Sequence, residues 1–355
     1  MATSQLFTAN TKSGKYGVTA TANALTSNPS FTMTNRAGPP ASIAATGGTP
    51  QSATVSTAFA TNLAATVTDT FGNPVGGATV TFNAPASGAS GTFAGGVNTA
   101  KTNGFGVATA AVFTANTTAG DYTATATVGA HTTSPGFALT NVAGAPALIT
   151  ATAGTPQAAA VRTSFATNLA ATVTDSFGNA VSGATVTFNA PTSGASGFFA
   201  GGVNTATTDS AGVATAATFT ANARAGSYTV TATVAAVTSN PGFALTNLAG
   251  APASITAAGG TPQTTPINTA FAQRLAATVK DSFGNPVAGA IVTFNAPTSG
   301  ASGTFAGGVY RGRTNVGGVA IAQVFTANGT TGSYTVTATV GTHTTNPGFA
   351  LTNSN

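Results

Sequence analysis

The chain has 355 residues, of which 42% are apolar and only 4% are charged, and it contains no Cys and no Trp. The apolar fraction is that of a folded protein, so disorder caused by a shortage of hydrophobic residues is excluded. The net charge of +5 is small for this length, and the Lys and Arg residues form no cluster with interleaved aromatic residues. We therefore expect no nucleic-acid partner. No run of 18 apolar residues occurs, so we expect no direct insertion into a membrane.

The sequence repeats itself every 106 residues without insertion or deletion. The string FTAN begins at Phe7, Phe113, Phe219 and Phe325, and the string TPQ recurs with the same spacing. A fixed period of this length indicates an array of one domain type. We therefore predict an incomplete repeat, matching the last third of a repeat, followed by three complete repeats. Their ranges are 1–37, 38–143, 144–249 and 250–355.

Each complete repeat carries strand signals and no helix signal. Thr and Val alternate with Ala in short runs that Gly, Pro and Asn interrupt about every ten residues. This pattern predicts an all-β fold, an antiparallel β-sandwich. The strands predicted for the first complete repeat are 41–46, 53–55, 63–68, 78–83, 91–94, 107–113, 122–128 and 136–140.

Large apolar residues that occupy the same strand positions in each complete repeat predict the core. The predicted core residues of the first complete repeat are Leu63, Val67, Val80, Phe82, Phe93, Tyr122, Val128, Phe137 and Leu139. The joints between repeats, at 35–40, 141–146 and 247–252, are short and contain Pro, which fixes φ. We therefore expect the sandwiches to be arranged end to end as a rod.

An acidic turn, D-[ST]-F-G-N, is the strongest motif. The Asp is predicted to close a strand and accept backbone N–H groups of the turn, in which the Gly supplies a positive φ. A calcium site is the alternative, but calcium takes about six to eight oxygen ligands and each repeat offers one recurrent carboxylate. The predicted turn residues are Asp69, Gly72, Asp175, Gly178, Asp281 and Gly284.

The acidic turn and two downstream motifs, G-x-A-x-A-x-x-F-T-A-N and A-G-x-Y-T-x-T-A-T-V, occur in order in the complete repeats, with Thr331 in place of the first Ala of the last motif in the third of them. In this combination the chain resembles the bacterial immunoglobulin-like domains of invasin and intimin, although it carries far fewer charges. The resemblance covers each whole repeat. It implies an adhesin stalk on the bacterial surface, in which tandem sandwiches hold a binding tip away from the cell.

A tyrosine recurs every 106 residues, at Tyr16, Tyr122, Tyr228 and Tyr334. The expected role is that of a corner tyrosine, whose hydroxyl ties one strand to a neighbouring loop. A platform on which a sugar ring stacks is the alternative.

The segment Tyr310-Arg311-Gly312-Arg313 departs most sharply from the repeat, because the equivalent residues read NTAK at 98–101 and NTAT at 204–207. A Tyr with two Arg residues on one loop is a candidate contact patch for an anionic sugar or an acidic partner. The alternative interpretation is a solvated loop whose sequence has diverged from that of the other repeats.

Catalytic and metal-binding patterns are missing from the sequence. The chain has no Glu, and His131 and His343 have no partner residues at ligand spacing, so we expect no enzyme activity, no metal and no cofactor. No export signal follows Met1, so export would require a longer precursor. The absence of Cys fits a secreted bacterial surface protein.

These observations favour a structural repeat region of an extracellular bacterial surface protein, either an adhesin stalk or the body of a surface fibre. The alternatives are an array of carbohydrate- or cell-surface-binding modules, or an accessory segment of a secreted enzyme. The expected partners are further copies of the chain, packed head to tail or laterally, or a host or matrix polysaccharide.

Overall fold

A computed structural model describes residues 1–355 and is all-β. Its helical segments are three short 3₁₀ turns, and none has the length and apolar character that crossing a membrane requires. Contacts between Cα atoms divide the chain into two compact units. The first contains Met1–Ala147 and Thr174–Ser182, and the second contains Leu148–Val173 and Gly183–Asn355.

The first unit begins with two small antiparallel pairs, β1 with β4 and β2 with β3. Eleven further strands form a six-stranded sheet in the order β10-β8-β13-β15-β6, with β14 paired to β13, a three-stranded sheet β11-β7-β5, and the pair β12-β9. The strands are Gly14–Val18 (β1), Thr21–Ala22 (β2), Leu25–Thr26 (β3), Phe31–Asn35 (β4), Ser42–Gly47 (β5), Gln51–Thr54 (β6), Ala64–Thr68 (β7), Thr79–Asn83 (β8), Gly91–Phe93 (β9), Thr99–Lys101 (β10), Val107–Thr109 (β11), Phe113–Ala115 (β12), Gly120–Val128 (β13), His131–Thr132 (β14) and Phe137–Val142 (β15). The first 3₁₀ turn is Ala94–Gly96.

The second unit contains two more sets of strands with the same pairing order. The first set is Leu148–Ala153 (β16), Gln157–Ala160 (β17), Ala170–Thr174 (β18), Thr185–Asn189 (β19), Gly197–Phe199 (β20), Thr205–Thr207 (β21), Val213–Thr215 (β22), Phe219–Ala221 (β23), Gly226–Val234 (β24), Val237–Thr238 (β25) and Phe243–Leu248 (β26). The second set is Ser254–Gly259 (β27), Gln263–Pro266 (β28), Ala276–Lys280 (β29), Ile291–Asn295 (β30), Gly303–Phe305 (β31), Arg311–Arg313 (β32), Val319–Ile321 (β33), Phe325–Ala327 (β34), Gly332–Val340 (β35), His343–Thr344 (β36) and Phe349–Ser354 (β37). The 3₁₀ turns are Ala200–Gly202 and Ala306–Gly308.

The all-β fold and the threefold recurrence of the strand set confirm the predicted fold class, with three local corrections. Short strands at Thr99–Lys101 and His131–Thr132 were not predicted. The single strand predicted over 107–113 is wrong, because β11 and β12 pair with different strands, β7 and β9. The sheets are also not wholly antiparallel, since β6 pairs parallel to β15. The repeat boundaries themselves stay a prediction.

Side-chain alternation places the core on one face of each strand. In β8, Val80 and Phe82 are fully buried, Thr81 between them is partly buried, and Thr79 and Asn83 at the two ends are exposed. All the core residues predicted for 38–143 are buried except Tyr122, which is half-buried against the core. Burial of a large apolar side chain contributes about 1.5–3 kcal/mol before conformational entropy is subtracted.

A chain of phenylalanine rings links the sheets of the first complete set of strands. The Phe93 and Phe113 ring centroids are 4.6 Å apart, and Phe59 stacks on Phe113 at 5.6 Å. Phe82 continues the chain, at 6.2 Å from Phe93 and 6.0 Å from Phe137. These spacings lie in the range of favourable aromatic pairs, and the same five-ring chain recurs in both later sets.

The incomplete repeat exposes residues that its complete counterparts bury. Phe7 and Phe31 are 58% and 61% exposed, whereas Phe113 and Phe137, one period later, are 1% and 0% exposed. The difference arises because residues 1–37 contain only the strands that follow the equivalent of residue 107, without a facing sheet.

Candidate functional site

The acidic turns, residues 69–73, 175–179 and 281–285, each hold a buried carboxylate by hydrogen bonds. Asp69 is 4% exposed. Its Oδ1 accepts the backbone N–H groups of Phe71 and Asn73, both at 2.9 Å, and its Oδ2 accepts that of Gly38 at 2.9 Å. Gly72, at φ +80°, donates its N–H to the Asp69 carbonyl oxygen at 3.1 Å. Glycine adopts this backbone conformation without steric cost.

The second and third acidic turns have the same geometry. Asp175 accepts N–H groups from Phe177, Asn179 and Gly144 at 2.8–2.9 Å. The corresponding donors to Asp281 are the N–H groups of Phe283, Asn285 and Gly250, at 2.8–2.9 Å. The glycines at the fourth position of these two turns, Gly178 and Gly284, have φ values of +85° and +83°.

The donors around each carboxylate are all N–H groups. The Oδ2 atom of Asp69 accepts a further hydrogen bond from Asn73 Nδ2 at 2.9 Å. An N–H group that points at an oxygen occupies the position a cation would need, and calcium requires about six to eight oxygen ligands. No group of three His, Cys, Asp or Glu residues in the structure is arranged to hold a metal ion.

The hydrogen bonds favour the ionised form of these carboxyl groups. The side-chain hydrogen bond from Asn73 lowers the pKa of Asp69 to about 2, with help from backbone N–H groups and against the effect of burial. At Asp175 and Asp281, burial opposes ionisation. Hydrogen bonds from Asn179 and Asn285 and from backbone N–H groups outweigh it, so the pKa of each carboxyl lies below its usual value.

The asparagine that ends each acidic turn reaches across the joint to the preceding repeat. Asn179 accepts the N–H of Ala119 at 2.9 Å through Oδ1 and donates to the carbonyl oxygen of Thr117 at 2.8 Å through Nδ2. The same Nδ2 group donates to Asp175 Oδ2 at 2.9 Å. One side chain therefore ties a loop of the preceding repeat to the acidic turn, and we call this arrangement the asparagine clamp.

The asparagine clamp recurs at every joint. In the second unit, Asn285 accepts the N–H of Ala225 at 2.9 Å and donates to the carbonyl oxygen of Ala223 at 2.9 Å. At the first joint, Asn73 accepts the N–H of Ser13 at 3.0 Å and donates to Thr11 at 2.9 Å. The incomplete repeat is thus held in the same way as the complete ones.

The joint glycines connect the chain to the same carboxylates. Gly144 and Gly250 donate their N–H groups to Asp175 and Asp281 within the joints that the sequence predicts. A Cβ atom at Gly144 would lie 3.8 Å from a methyl group of Val55, a buried residue of the preceding repeat. The carboxylate, the asparagine and the linker backbone therefore form one packed cluster at each joint.

The recurrent tyrosines pair with an asparagine on the neighbouring strand. The hydroxyl of Tyr228 donates to Asn247 Oδ1 at 2.9 Å, and that of Tyr334 donates to Asn353 Oδ1 at 3.0 Å. The acceptor lies on the paired strand and not on a loop. Burial raises the pKa of Tyr228 and raises that of Tyr334 to about 12.

The first complete repeat differs in this pair. The Tyr122 hydroxyl and Asn141 Oδ1 are both buried without a hydrogen-bond partner, and burial raises the pKa of Tyr122 to about 12. In the incomplete repeat, Tyr16 lies opposite Met33 and its ring centroid is 6.1 Å from that of Phe7.

A shallow surface groove runs past the tyrosine of each complete repeat. In the first one it has a volume of about 670 Å³ and is lined by Gln51, Tyr122 and Thr140, among others. Equivalent grooves lie beside Tyr228 and Tyr334. The structure therefore places the tyrosines at the surface of the sandwich, with the ring half-buried.

The candidate contact patch lies on β32, an outer strand of a six-stranded sheet. Arg311 and Arg313 are exposed, and Tyr310 is 47% exposed. The guanidinium carbon of Arg311 lies 5.5 Å from the Tyr310 ring centroid. The structure thus places the two Arg side chains on one accessible strand, with Tyr310 directly before it.

Sequence reasoning missed the two asparagine positions. The clamp asparagines, Asn73, Asn179 and Asn285, belong to the acidic turn motif, but their partners lie about 60 residues earlier in another repeat. The other recurrent asparagine position is that of Asn247, whose Nδ2 donates to the carbonyl oxygens of Ser196 and Arg224. Both asparagines recur every 106 residues, and this recurrence was the sequence signal that could have identified them.

Comparison with solved structures supports the fold. The Escherichia coli adhesin FdeC is 22% identical, with coverage of 90% of this chain and 99% of the FdeC chain and a TM-score of 0.50. The chain has the bacterial immunoglobulin-like fold. The resemblance stated from the motifs is thereby confirmed at the level of the fold.

More distant similarities extend over most of the chain. Invasin, described as a bacterial integrin-binding protein, is 21% identical over 84% of this chain and 57% of its own, with a TM-score of 0.41. InvD of Yersinia pseudotuberculosis is 17% identical over 84% of each chain, with a TM-score of 0.47. No protein-family model and no curated protein matches the chain.

Proposed function

We propose that the chain is the non-catalytic structural repeat region of an extracellular bacterial surface protein, serving as an adhesin stalk or as the body of a surface fibre. The asparagine clamp is the observation that carries this proposal. A joint that served only as a tether would need no side chain committed to both of its ends. Here the Nδ2 groups of Asn179 and Asn285 donate to both sides of a joint, and their Oδ1 atoms accept an N–H group of the preceding repeat.

The clamp resists bending at the joint. Bending would separate Asn285, which is 9% exposed, from Ala223 and Ala225 and leave buried amide groups without partners. Each buried polar group left unsatisfied costs about 1–3 kcal/mol. Stiff joints suit a protein whose task is to hold something at a distance, and repetition of the joint sets that distance.

The composition of the surface supports an extracellular structural role. The strand positions that face outward are mainly Thr, Ser, Asn and Ala, and the whole chain has only 4% charged residues. Such a surface repels its neighbours weakly. It therefore allows lateral packing of further copies of the chain, which is the property that distinguishes a fibre body from a solitary stalk.

The similarity to FdeC, described as an adhesin, is consistent with a place on the bacterial surface and with a host or matrix partner for the protein that contains these repeats. We include adhesion in the proposal for the stalk. For the fibre body, the partner is a second copy of the chain.

Negative-stain electron microscopy of the purified chain tests the proposal. Isolated, extended, beaded particles are expected for a stalk, and long ordered filaments for a fibre body; compact particles without a beaded outline would contradict both. The variant pair Asn179→Ala with Asn285→Ala should widen the distribution of bend angles. The matched control, Asn189→Ala with Asn295→Ala, changes exposed asparagines away from the joints and should leave the distribution unchanged.

A further inference from the structure

The last repeat departs from the second in several blocks, and the block at 310–313 introduces large side chains directly after an almost unchanged segment. Residues 292–309 are identical to 186–203 except for one position. The next four residues, 310–313, read YRGR where the second repeat reads NTAT, and Ile291 stands where the other complete repeats have Thr. In a chain that copies itself so closely, a cluster of large replacements indicates a feature that this repeat alone carries.

Three of the replaced residues, Ile291, Arg311 and Arg313, share one face of the sheet. In the pairing of β30 with β32, Ile291 lies opposite Arg313, and Thr293 lies opposite Arg311. Residues directly opposite in an antiparallel pair project to the same side, and so do residues two apart in one strand. Ile291 is 53% exposed and both Arg side chains are exposed. We call Ile291, Tyr310, Arg311 and Arg313 the arginine patch.

The charges of the arginine patch are not neutralised within the protein. Arg311 contacts the Tyr310 ring, and Arg313 donates through Nε to the carbonyl oxygen of Gly289 at 3.1 Å. The one carboxylate of this repeat, Asp281, accepts N–H groups of its own turn and of Gly250. The patch is therefore a positive surface with free guanidinium donors.

The surface beside the arginine patch is flat and rich in hydroxyl and amide groups. Thr293 lies opposite Thr339, and Asn295 lies opposite Thr337, on the face that Arg311 shares. These groups can donate and accept hydrogen bonds along an extended, hydroxyl-rich ligand. A stable protein partner would instead require about 800 Å² of surface on each side with an apolar centre, which this Thr-rich face does not offer.

From this chemistry we infer that the arginine patch is a binding site for a polysaccharide that carries carboxylate or sulfate groups. A guanidinium group pairs with either anion through two parallel hydrogen bonds. The exposed Tyr310 ring, which Arg311 contacts, offers an apolar face for a sugar ring, and Ile291 is an exposed apolar residue opposite Arg313. The inference does not depend on whether the chain forms a stalk or a fibre.

The test compares the full chain with a variant that restores the residues of the second repeat, Tyr310→Asn with Arg311→Thr and Arg313→Thr. These residues occupy β21 at the equivalent positions, so the variant keeps a strand that the fold already contains. Binding is measured by calorimetry and by biolayer interferometry to a polyuronate, a sulfated dextran, a neutral dextran and polyglutamate. We expect the full chain to bind one or both anionic polysaccharides and the variant to bind at least about tenfold more weakly.

A matched control removes two positive charges elsewhere. Lys101→Thr with Arg224→Thr introduces residues found at the same positions in other repeats, and binding should change less than about threefold. The reciprocal variant of the second repeat, Thr185→Ile, Asn204→Tyr, Thr205→Arg and Thr207→Arg, should add a second site. A full chain that binds neither anionic polysaccharide, that prefers polyglutamate, or that loses binding equally in the control overturns the inference.

Discussion

Asn179 and Asp175 form a single hydrogen-bonded unit, in which the asparagine amide donates to the carboxylate Oδ2 at 2.9 Å while its oxygen accepts an N–H group of the preceding repeat. The carboxylate orients the amide, and the amide in turn holds the joint. Because the pair lies within one motif, each copy of the motif brings its own clamp. Loss of either partner should therefore loosen the joint as well as the turn.

Replacement of Asn285 by Ala should lower the free energy of unfolding by about 1–3 kcal/mol, since it removes one donor from a buried carboxylate and leaves the backbone N–H of Ala225 without its acceptor. Amide hydrogen exchange at Ala225 should accelerate, because that N–H donates to Asn285. Asn295→Ala, on an exposed strand face, serves as the control and should change neither quantity. Unchanged protection at Ala225 would show that the clamp does not hold the joint.

The acidic turns should make the protein sensitive to acid. The folded-state pKa of Asp69 is about 2, below the ordinary value of 3.8, and those of Asp175 and Asp281 are also lowered. A carboxyl group with a lowered folded pKa stabilises the folded state above its unfolded pKa, and this contribution is lost as the pH falls through the folded pKa. Thermal unfolding temperatures should therefore fall between about pH 4 and pH 2.

The variant with all three acidic-turn Asp residues changed to Asn should unfold at a lower temperature than the parent at pH 7. Its unfolding temperature should depend less on pH below 4, because the groups that titrate there have been removed. Asp121→Ser, which introduces the residue of the later repeats, should keep the acid dependence of the parent. An equally steep acid dependence in the triple variant would contradict the assignment to these turns.

The tyrosines provide a prediction with an internal control. Tyr228→Phe removes a hydrogen bond to Asn247 and should lower the free energy of unfolding by about 1 kcal/mol. Tyr122→Phe removes a buried hydroxyl that has no partner, so stability should be unchanged or slightly higher. Chemical denaturation of both variants measures the difference, and equal losses at the two sites would contradict it.

Burial predicts opposite outcomes at two equivalent phenylalanines. Phe137→Ala leaves a cavity in a closed core and should lower the free energy of unfolding by about 3–5 kcal/mol. Phe31→Ala, one period earlier, removes a side chain that is 61% exposed and should leave stability almost unchanged. It should also reduce the binding of a dye that reports exposed apolar surface. A large loss of stability in Phe31→Ala would mean that the incomplete repeat buries this ring in solution.

The fold was predictable from the sequence wherever apolar and polar residues alternate clearly along a strand. Val80 and Phe82 between threonines mark both the strand and its buried face, and the structure places both at zero exposure. Alternation fails over 107–113, where Ala residues give no contrast between faces, and the structure divides this segment into two strands. Strands of two or three residues, such as Thr99–Lys101, are too short to show a period.

The candidate site was predictable only in part, for a reason of distance along the chain. The contacts of Asp69 within its own turn follow from the local motif. The contacts of Asn179 join residues about 60 positions apart in different repeats, and a motif read within one repeat contains no signal for them. The exposed cluster at 310–313 was visible because it breaks the period, whereas the position of Ile291 opposite Arg313 emerges only from strand register.

The parallel pairing of β6 with β15 bears on how each repeat responds to mechanical load. Gln51 to Thr54 lie beside Leu139 to Val142, and β6 follows the first strand of the repeat whereas β15 is its last. Tension applied along the chain would pull the two strands past each other, so the hydrogen bonds between them would be loaded together and not one after another. Because forced unfolding is governed by the unfolding rate, this geometry favours repeats that stay folded under pull.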